Sequence, residues 1–156
     1  MLLWQYLLQL TLELDLFHFE IVRLPLLSAI GNQLFFVHLN QKQNSRDGIA
    51  AYKKNAKIDP EIIDKINLIT EAMIGCSSLS EFESLIKAHE NIISSLIKQD
   101  TIKSHLFKDF RGGVKSLGAW GGDFILVTSE EDPTYYFNSK GFETIIRYSE
   151  MVLEKN

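Results

Sequence analysis

From Gly112 to Phe124 the chain reads Gly-Gly-Val-Lys-Ser-Leu-Gly-Ala-Trp-Gly-Gly-Asp-Phe, and the apolar run Ile125-Leu126-Val127 follows at once. Ordering a glycine costs more backbone entropy than ordering any other residue, so Gly118, Gly121 and Gly122 in such close succession require a local reason. The flanks supply part of it. Val114 to Leu117 and Phe124 to Thr128 read as short strands, which makes the glycines a tight crossing between them. Two readings then stand side by side. In one, the stretch is a hairpin or bulge turn in which glycine supplies positive φ and nothing binds. In the other, bare backbone N–H groups approach a ligand, most naturally a phosphate or a second loop that holds one.

The rest of the chain must provide a sheet for that hairpin. Gln33 to Leu39 is a nearly continuous apolar and aromatic run after a turn at Gly31-Asn32, the pattern of a strand buried on both faces. Upstream, alternation from Thr11 to Leu24 reads as one or two strands, ended by Pro25. Asn44 or Ser45 is placed to cap a short helix that runs to about Asn55.

Two long helices fill the middle. Asp59-Pro60 is an N-cap followed by proline in the first turn, and Ile62, Ile63, Ile66, Ile69, Met73 and Ile74 recur at helical spacing until Gly75. Ser80 and Glu83 are spaced as a capping box, after which Phe82, Leu85, Ile86, His89, Ile92, Ile93, Leu96 and Ile97 form one apolar stripe. His89 on that stripe reads as a core or edge residue with a hydrogen-bond partner, and no histidine or carboxylate is spaced with it as a metal site. His18, His38 and His105 offer no better placement, and Cys76 has no activating neighbour. Asp132-Pro133 opens a small helix, Lys140-Gly141 closes it, and Glu143 to Tyr148 reads as a last strand. The order strand, helices, strand, glycine turn, strand, helix, strand predicts an α+β fold, a ferredoxin-like antiparallel sheet with helices packed on one face.

Composition excludes several function classes. The 156 residues, 46% of them apolar, suffice for one compact core. A net charge of -4 with dispersed Lys and Arg argues against nucleic acid, and Gln5, Gln9, Glu13 and Asp15 interrupt the N-terminal apolar run before it reaches membrane length. That start has no basic residue ahead of the apolar run and no small-residue cleavage site, so no signal peptide is expected. With the single cysteine Cys76 barred from an internal disulfide, a cytoplasmic location is expected.

The helix ending Ile92-Ile93-Ser94-Ser95-Leu96, a spacer, and then Lys115-Ser116-Leu117-Gly118-Ala119-Trp120-Gly121-Gly122-Asp123 together resemble the C-terminal domain of the GHMP kinases, the superfamily of galactokinase, homoserine kinase, mevalonate kinase and phosphomevalonate kinase. Its third motif is a Lys-x-x-Gly-Ala-Gly-Gly-Gly-Gly type of loop between two strands, matched here from Lys115. The likeness spans roughly residues 32–153, is most specific from Lys115 to Phe124, and is nearest to a bacterial subgroup with a Gly-Tyr-Asp-Ile-Ala signature. The division it implies is an N-terminal segment, 1–30, that fits the family least and is read as a possible remnant of a lost domain, and a kinase-like domain, 31–156.

The resemblance implies ATP-dependent phosphoryl transfer to a small-molecule acceptor, with ATP and Mg²⁺ held mainly by an N-terminal domain whose Gly-Leu-Gly-Ser-Ser loop cradles the phosphates. It carries Gly118, Ala119, Gly121 and Gly122 over as close-approach backbone, with Lys115 and Ser116 at the strand end beside them. Trp120 stands where the family usually has glycine, and Asp123 brings a negative charge to the loop. Either the loop shapes the acceptor pocket by packing, or Asp123 faces away from phosphate. The sequence contains neither Gly-Leu-Gly-Ser-Ser nor Gly-Tyr-Asp-Ile-Ala, whose aspartate corresponds to the family's catalytic one. The chain is therefore expected to carry no catalytic residue and to be inactive alone, completed by a missing N-terminal kinase domain or self-associating through an apolar sheet face or edge that such a domain would cover. The alternative is a free-standing ferredoxin-like module that binds a small molecule or a subunit without catalysis.

Overall fold

The computed structural model describes residues 30–40, 59–118 and 123–151. The strand and helix expected before Ile30 and between Asn44 and Asn55 lie outside the described residues. A short 3-10 turn, Gly31–Gln33, leads into β1, Leu34–His38. Helices α1, Pro60–Gly75, and α2, Leu79–Ile97, follow, then the short α3, Ile102–Leu106. The remaining elements are β2, Val114–Ser116, β3, Phe124–Thr128, α4, Thr134–Ser139, β4, Ile145–Arg147, and α5, Tyr148–Met151.

The four strands form one antiparallel sheet in the order β2-β3-β1-β4. β1 and β3 are central, registered Leu34 to Thr128 through His38 to Phe124, while Phe36 faces Ile146 of β4 and Lys115 of β2 faces Leu126. This is the expected α+β class. Each crossover passes over one intervening strand: α1, α2 and α3 lie between β1 and β2, and α4 between β3 and β4.

Successive residues of a strand point to opposite faces, and both faces here are apolar. Leu34, Phe36 and Leu126 pack with Phe82 and Ile86 of α2 and with Cys76. Phe35, Val37, Ile125 and Val127 pack with Phe107, Phe110 and Phe137. The long helices take one face, as the amphipathic patterns imply. The other face is closed by α4 and the residues after α3 through an aromatic cluster, in which the Phe107 ring lies 5.1 Å from that of Phe137 and 5.3 Å from that of Phe142. Phe107 and Phe137 are fully buried, each stabilising the fold by roughly 1.5–3 kcal/mol through removal of apolar area from water. Among the described residues, both faces of the sheet are therefore covered by apolar side chains. Among the described residues the large apolar side chains left exposed are Ile63 and Leu68 of α1, Tyr135 of α4, and Met151. Ile63 thus departs from the expected stripe, which the other α1 positions fill by half-burial.

The helix ends have side-chain causes. Asp59 Oδ1 accepts from the Glu61 N–H at 3.0 Å, with Pro60 in the first turn where its missing N–H leaves nothing unsatisfied. The start of α2 corrects the sequence reading: the cap is Ser78, whose hydroxyl accepts from the Glu81 N–H at 3.2 Å, while the Glu81 carboxylate accepts from the Ser77 N–H at 3.1 Å. Ser80 and Glu83 share the same spacing but sit inside the helix, and Glu83 is committed elsewhere. α3 has its own cap, the Thr101 hydroxyl on the Ser104 N–H. The last strand, expected from Glu143 to Tyr148, begins only at Ile145 and ends where the chain turns into α5 at Tyr148.

Candidate functional site

The β2–β3 connection stands at the end of the sheet where β1 also finishes. The Leu117 N–H donates to the Phe124 carbonyl at 3.2 Å, which closes the hairpin, and the Leu39 N–H donates to the Asp123 carbonyl at 2.7 Å, which ties the connection to the end of β1. Gly118 has φ +73°, a left-handed conformation, with open space where a Cβ would stand. Its need for glycine is therefore conformational. Gly118 and Asp123 are both exposed. Ala119, Trp120, Gly121 and Gly122 lie outside the described residues.

Around this end the chain gathers polar groups that the sequence pattern did not single out. The Asn40 side chain donates to the Gly141 carbonyl at 3.2 Å, and its Oδ1 lies 3.2 Å from His38 Nδ1. The His38 ring sits 4.8 Å from that of Phe124, the first residue of β3. Asn40 itself has φ +54°, a conformation asparagine tolerates better than most residues. No local sequence signal marks this grouping, because Phe124 and Gly141 lie more than 80 positions from His38 and Asn40 and meet them only through the pairing of β1 with β3 and β4.

Lys115 and Ser116 are placed differently from the loop. Both are buried, at 6% exposure, and both turn to α2. Glu90 of α2, 3% exposed, accepts from the Ser116 N–H at 3.2 Å and hydroxyl at 3.0 Å through one oxygen, and from the Lys115 ammonium at 3.4 Å through the other. His89 Nδ1 lies 3.3 Å from the same ammonium. Burial pushes the Lys115 ammonium below its ordinary range, and Glu90 pulls partly back. Burial likewise lowers His89, opposed by its contact with Glu90.

Glu90 also resolves an edge problem. β2 is an edge strand, and its Ser116 N–H faces away from β3, where an unpaired donor would invite another strand. The carboxylate fills that place from the helix. His89 has the hydrogen-bond partner that its place on the apolar stripe implies. Glu90 also carries a signal in the sequence: it stands four residues after Ile86 and three before Ile93, on the face turned to the sheet, where a carboxylate requires a partner.

The chemistry of this end is thus backbone and shape. A left-handed glycine, an exposed carboxylate and an Asn–His pair can contour a pocket, while the Glu90–Lys115 contact fixes β2 and so the point from which the loop leaves. Among the described residues no group of three or more His, Cys, Asp or Glu is arranged to hold a metal ion, and no helix is long and apolar enough to cross a membrane. In comparisons with known proteins, no family model matches the chain and no curated protein matches it.

Proposed function

We propose that this chain is the acceptor-side half of an ATP-dependent kinase of the GHMP type, phosphorylating a small metabolite. The observation that carries the reading is the position of the Lys115-to-Asp123 motif: a glycine connection between two antiparallel strands, leaving from a strand that Glu90 and Lys115 anchor to a long helix. Phosphoryl transfer is catalysed largely by positioning and electrostatic stabilisation, so a half that only shapes the acceptor site contributes through rigid placement of that loop. Under this reading ATP and Mg²⁺ are held by the other half of the enzyme, because the Gly-Leu-Gly-Ser-Ser cradle is not in this sequence.

The test supplies that half. The chain alone should transfer no phosphate from ATP to a panel of small alcohols and phosphates, and fusion to a domain carrying the phosphate loop should give magnesium-dependent transfer. Transfer by the isolated chain would overturn the reading. One observation favours a second reading, a free-standing binding module: both faces of the sheet are already covered by the chain's own side chains. Under that reading the fused domain adds no acceptor-dependent turnover, while a small molecule binds the isolated chain at the loop end of the sheet.

A further inference from the structure

A cleft of about 530 Å³ opens on the helix side of β2, between α2, α3 and the 108–114 segment. It lies at the Val114 end of the strand, whereas the glycine connection leaves from the Ser116 end. Four cations line it: Lys87 from α2, Lys103 from α3, and Lys108 and Arg111 from the segment leading into β2. Two carboxylates line it as well, Glu83 and Glu90. Their commitments decide the sign of the site.

Glu90 is taken up by Lys115 and Ser116, as described above. Glu83 accepts from the Thr128 hydroxyl and from the Gly113 N–H at 3.3 Å. Of the cations, Lys103 donates to the Gly112 carbonyl at 2.6 Å, a neutral acceptor. Lys87, Lys108 and Arg111 are exposed and have no hydrogen-bonding or ionic partner among the described residues. Asp109, the acid next in sequence to Lys108, is itself taken by Tyr136 and Lys140. The cleft therefore holds excess positive charge in a chain of net charge -4. Crowding leaves a mark on Lys103: burial pushes its ammonium below the ordinary range, Glu83 opposes this, and Lys87 pushes the same way as burial.

We infer that this cleft is a binding site for the phosphate or diphosphate group of a small anionic ligand, with Arg111, Lys108 and Lys87 as the groups that contact it. A guanidinium presents paired donors matched to phosphate oxygens, while Lys108 adds a point charge from the same segment and Lys87 one from α2. Concavity favours a small ligand over a flat macromolecular surface. The site is independent of the kinase reading, because it involves neither the glycine connection nor the missing nucleotide half.

The experiment titrates the full chain with inorganic pyrophosphate at about 0.1 M salt, where the Debye length of about 10 Å screens diffuse surface charge. Binding is followed calorimetrically and by backbone amide shifts. The expected result is saturable one-to-one binding with shifts at residues 108–113. Arg111→Gln combined with Lys108→Gln should weaken it at least about tenfold, or about 1.4 kcal/mol, and Lys87→Gln should weaken it in the same direction. Lys65→Gln, on α1 and outside the cleft, should leave it unchanged. All four positions are exposed, so the variants should fold, which circular dichroism verifies. Absence of saturation, or equal weakening by Lys65→Gln, would overturn the assignment.

Discussion

Removing the Glu90 carboxylate should be among the most damaging single changes in this chain. In Glu90→Ala the Lys115 ammonium remains buried without an opposite charge, and the Ser116 N–H and hydroxyl lose their shared acceptor. Breaking a buried ion pair from one side typically costs about 3–5 kcal/mol, because the surviving charge is left uncompensated. Both partners are at most 6% exposed, so solvent does little to rescue it. A chain of this length loses about 2–4 °C in Tm per kcal/mol, which puts the expected drop at roughly 6–20 °C. Lys115→Met should cost less, about 2 kcal/mol, since Glu90 keeps both Ser116 donors. The double variant Glu90→Gln/Lys115→Met removes both charges and retains an amide oxygen for Ser116. It should fall within about 1 kcal/mol of the parent, because exchanging a whole buried pair for neutral groups is often close to neutral. Urea unfolding of the parent, the two single variants Glu90→Gln and Lys115→Met, and their combination gives the coupling energy directly, expected to be at least about 2 kcal/mol. Additive effects with each single change below about 1 kcal/mol would refute the view that this pair anchors β2.

Gly112→Ala should destabilise the fold by about 1–3 kcal/mol or more, because the added Cβ would stand 1.7 Å from the Thr128 carbonyl oxygen and backbone must shift; thermal melting reads the loss. Gly118→Ala should cost only the left-handed backbone term, about 1–2 kcal/mol, since no atom lies within 4 Å of the added carbon. For pH, His89 is held below its ordinary 6.5 by burial, so the unfolded chain takes up its proton first; the associated stability is present above about pH 6.5 and is lost as pH falls below it. His89→Gln should flatten that part of a stability-against-pH profile. Asp109 and Asp132, lowered from 3.8 chiefly by the hydrogen bonds from Tyr136 and Thr134, act in a separate and more acidic window.

The helices were legible because their signals are local. Asp59-Pro60 and Gly75 bound α1 where expected, and the stripe of α2 faces the sheet. Adjacent candidates for one cap are harder to separate: Ser78 and Ser80 each have a glutamate three residues on, and the choice falls to where the chain leaves Cys76 in the core. Side chains whose roles depend on strand pairing were not legible. By its position in the motif Lys115 is expected to face the loop, but one strand residue decides between loop and helix, and Glu90, 25 positions away, sets that choice toward the helix. The second covered face has no periodic signal, because Phe107, Phe110 and Phe142 come from short irregular segments and Phe137 from a helix of only six residues. Asn40 and His38 gain their place beside the connection only once β1 is paired with β3 and β4.

The kinase reading rests on what the glycine connection does to an acceptor, and one measurement addresses it: kcat/KM for the acceptor in the completed enzyme, made by fusing a phosphate-loop domain to this chain, for the parent and for Trp120→Ala and Asp123→Asn. Each variant should lose at least about tenfold, roughly 1.4 kcal/mol of transition-state stabilisation, with Tm close to the parent's. Parental kinetics in both variants, or acceptor turnover by this chain without its partner domain, would contradict it.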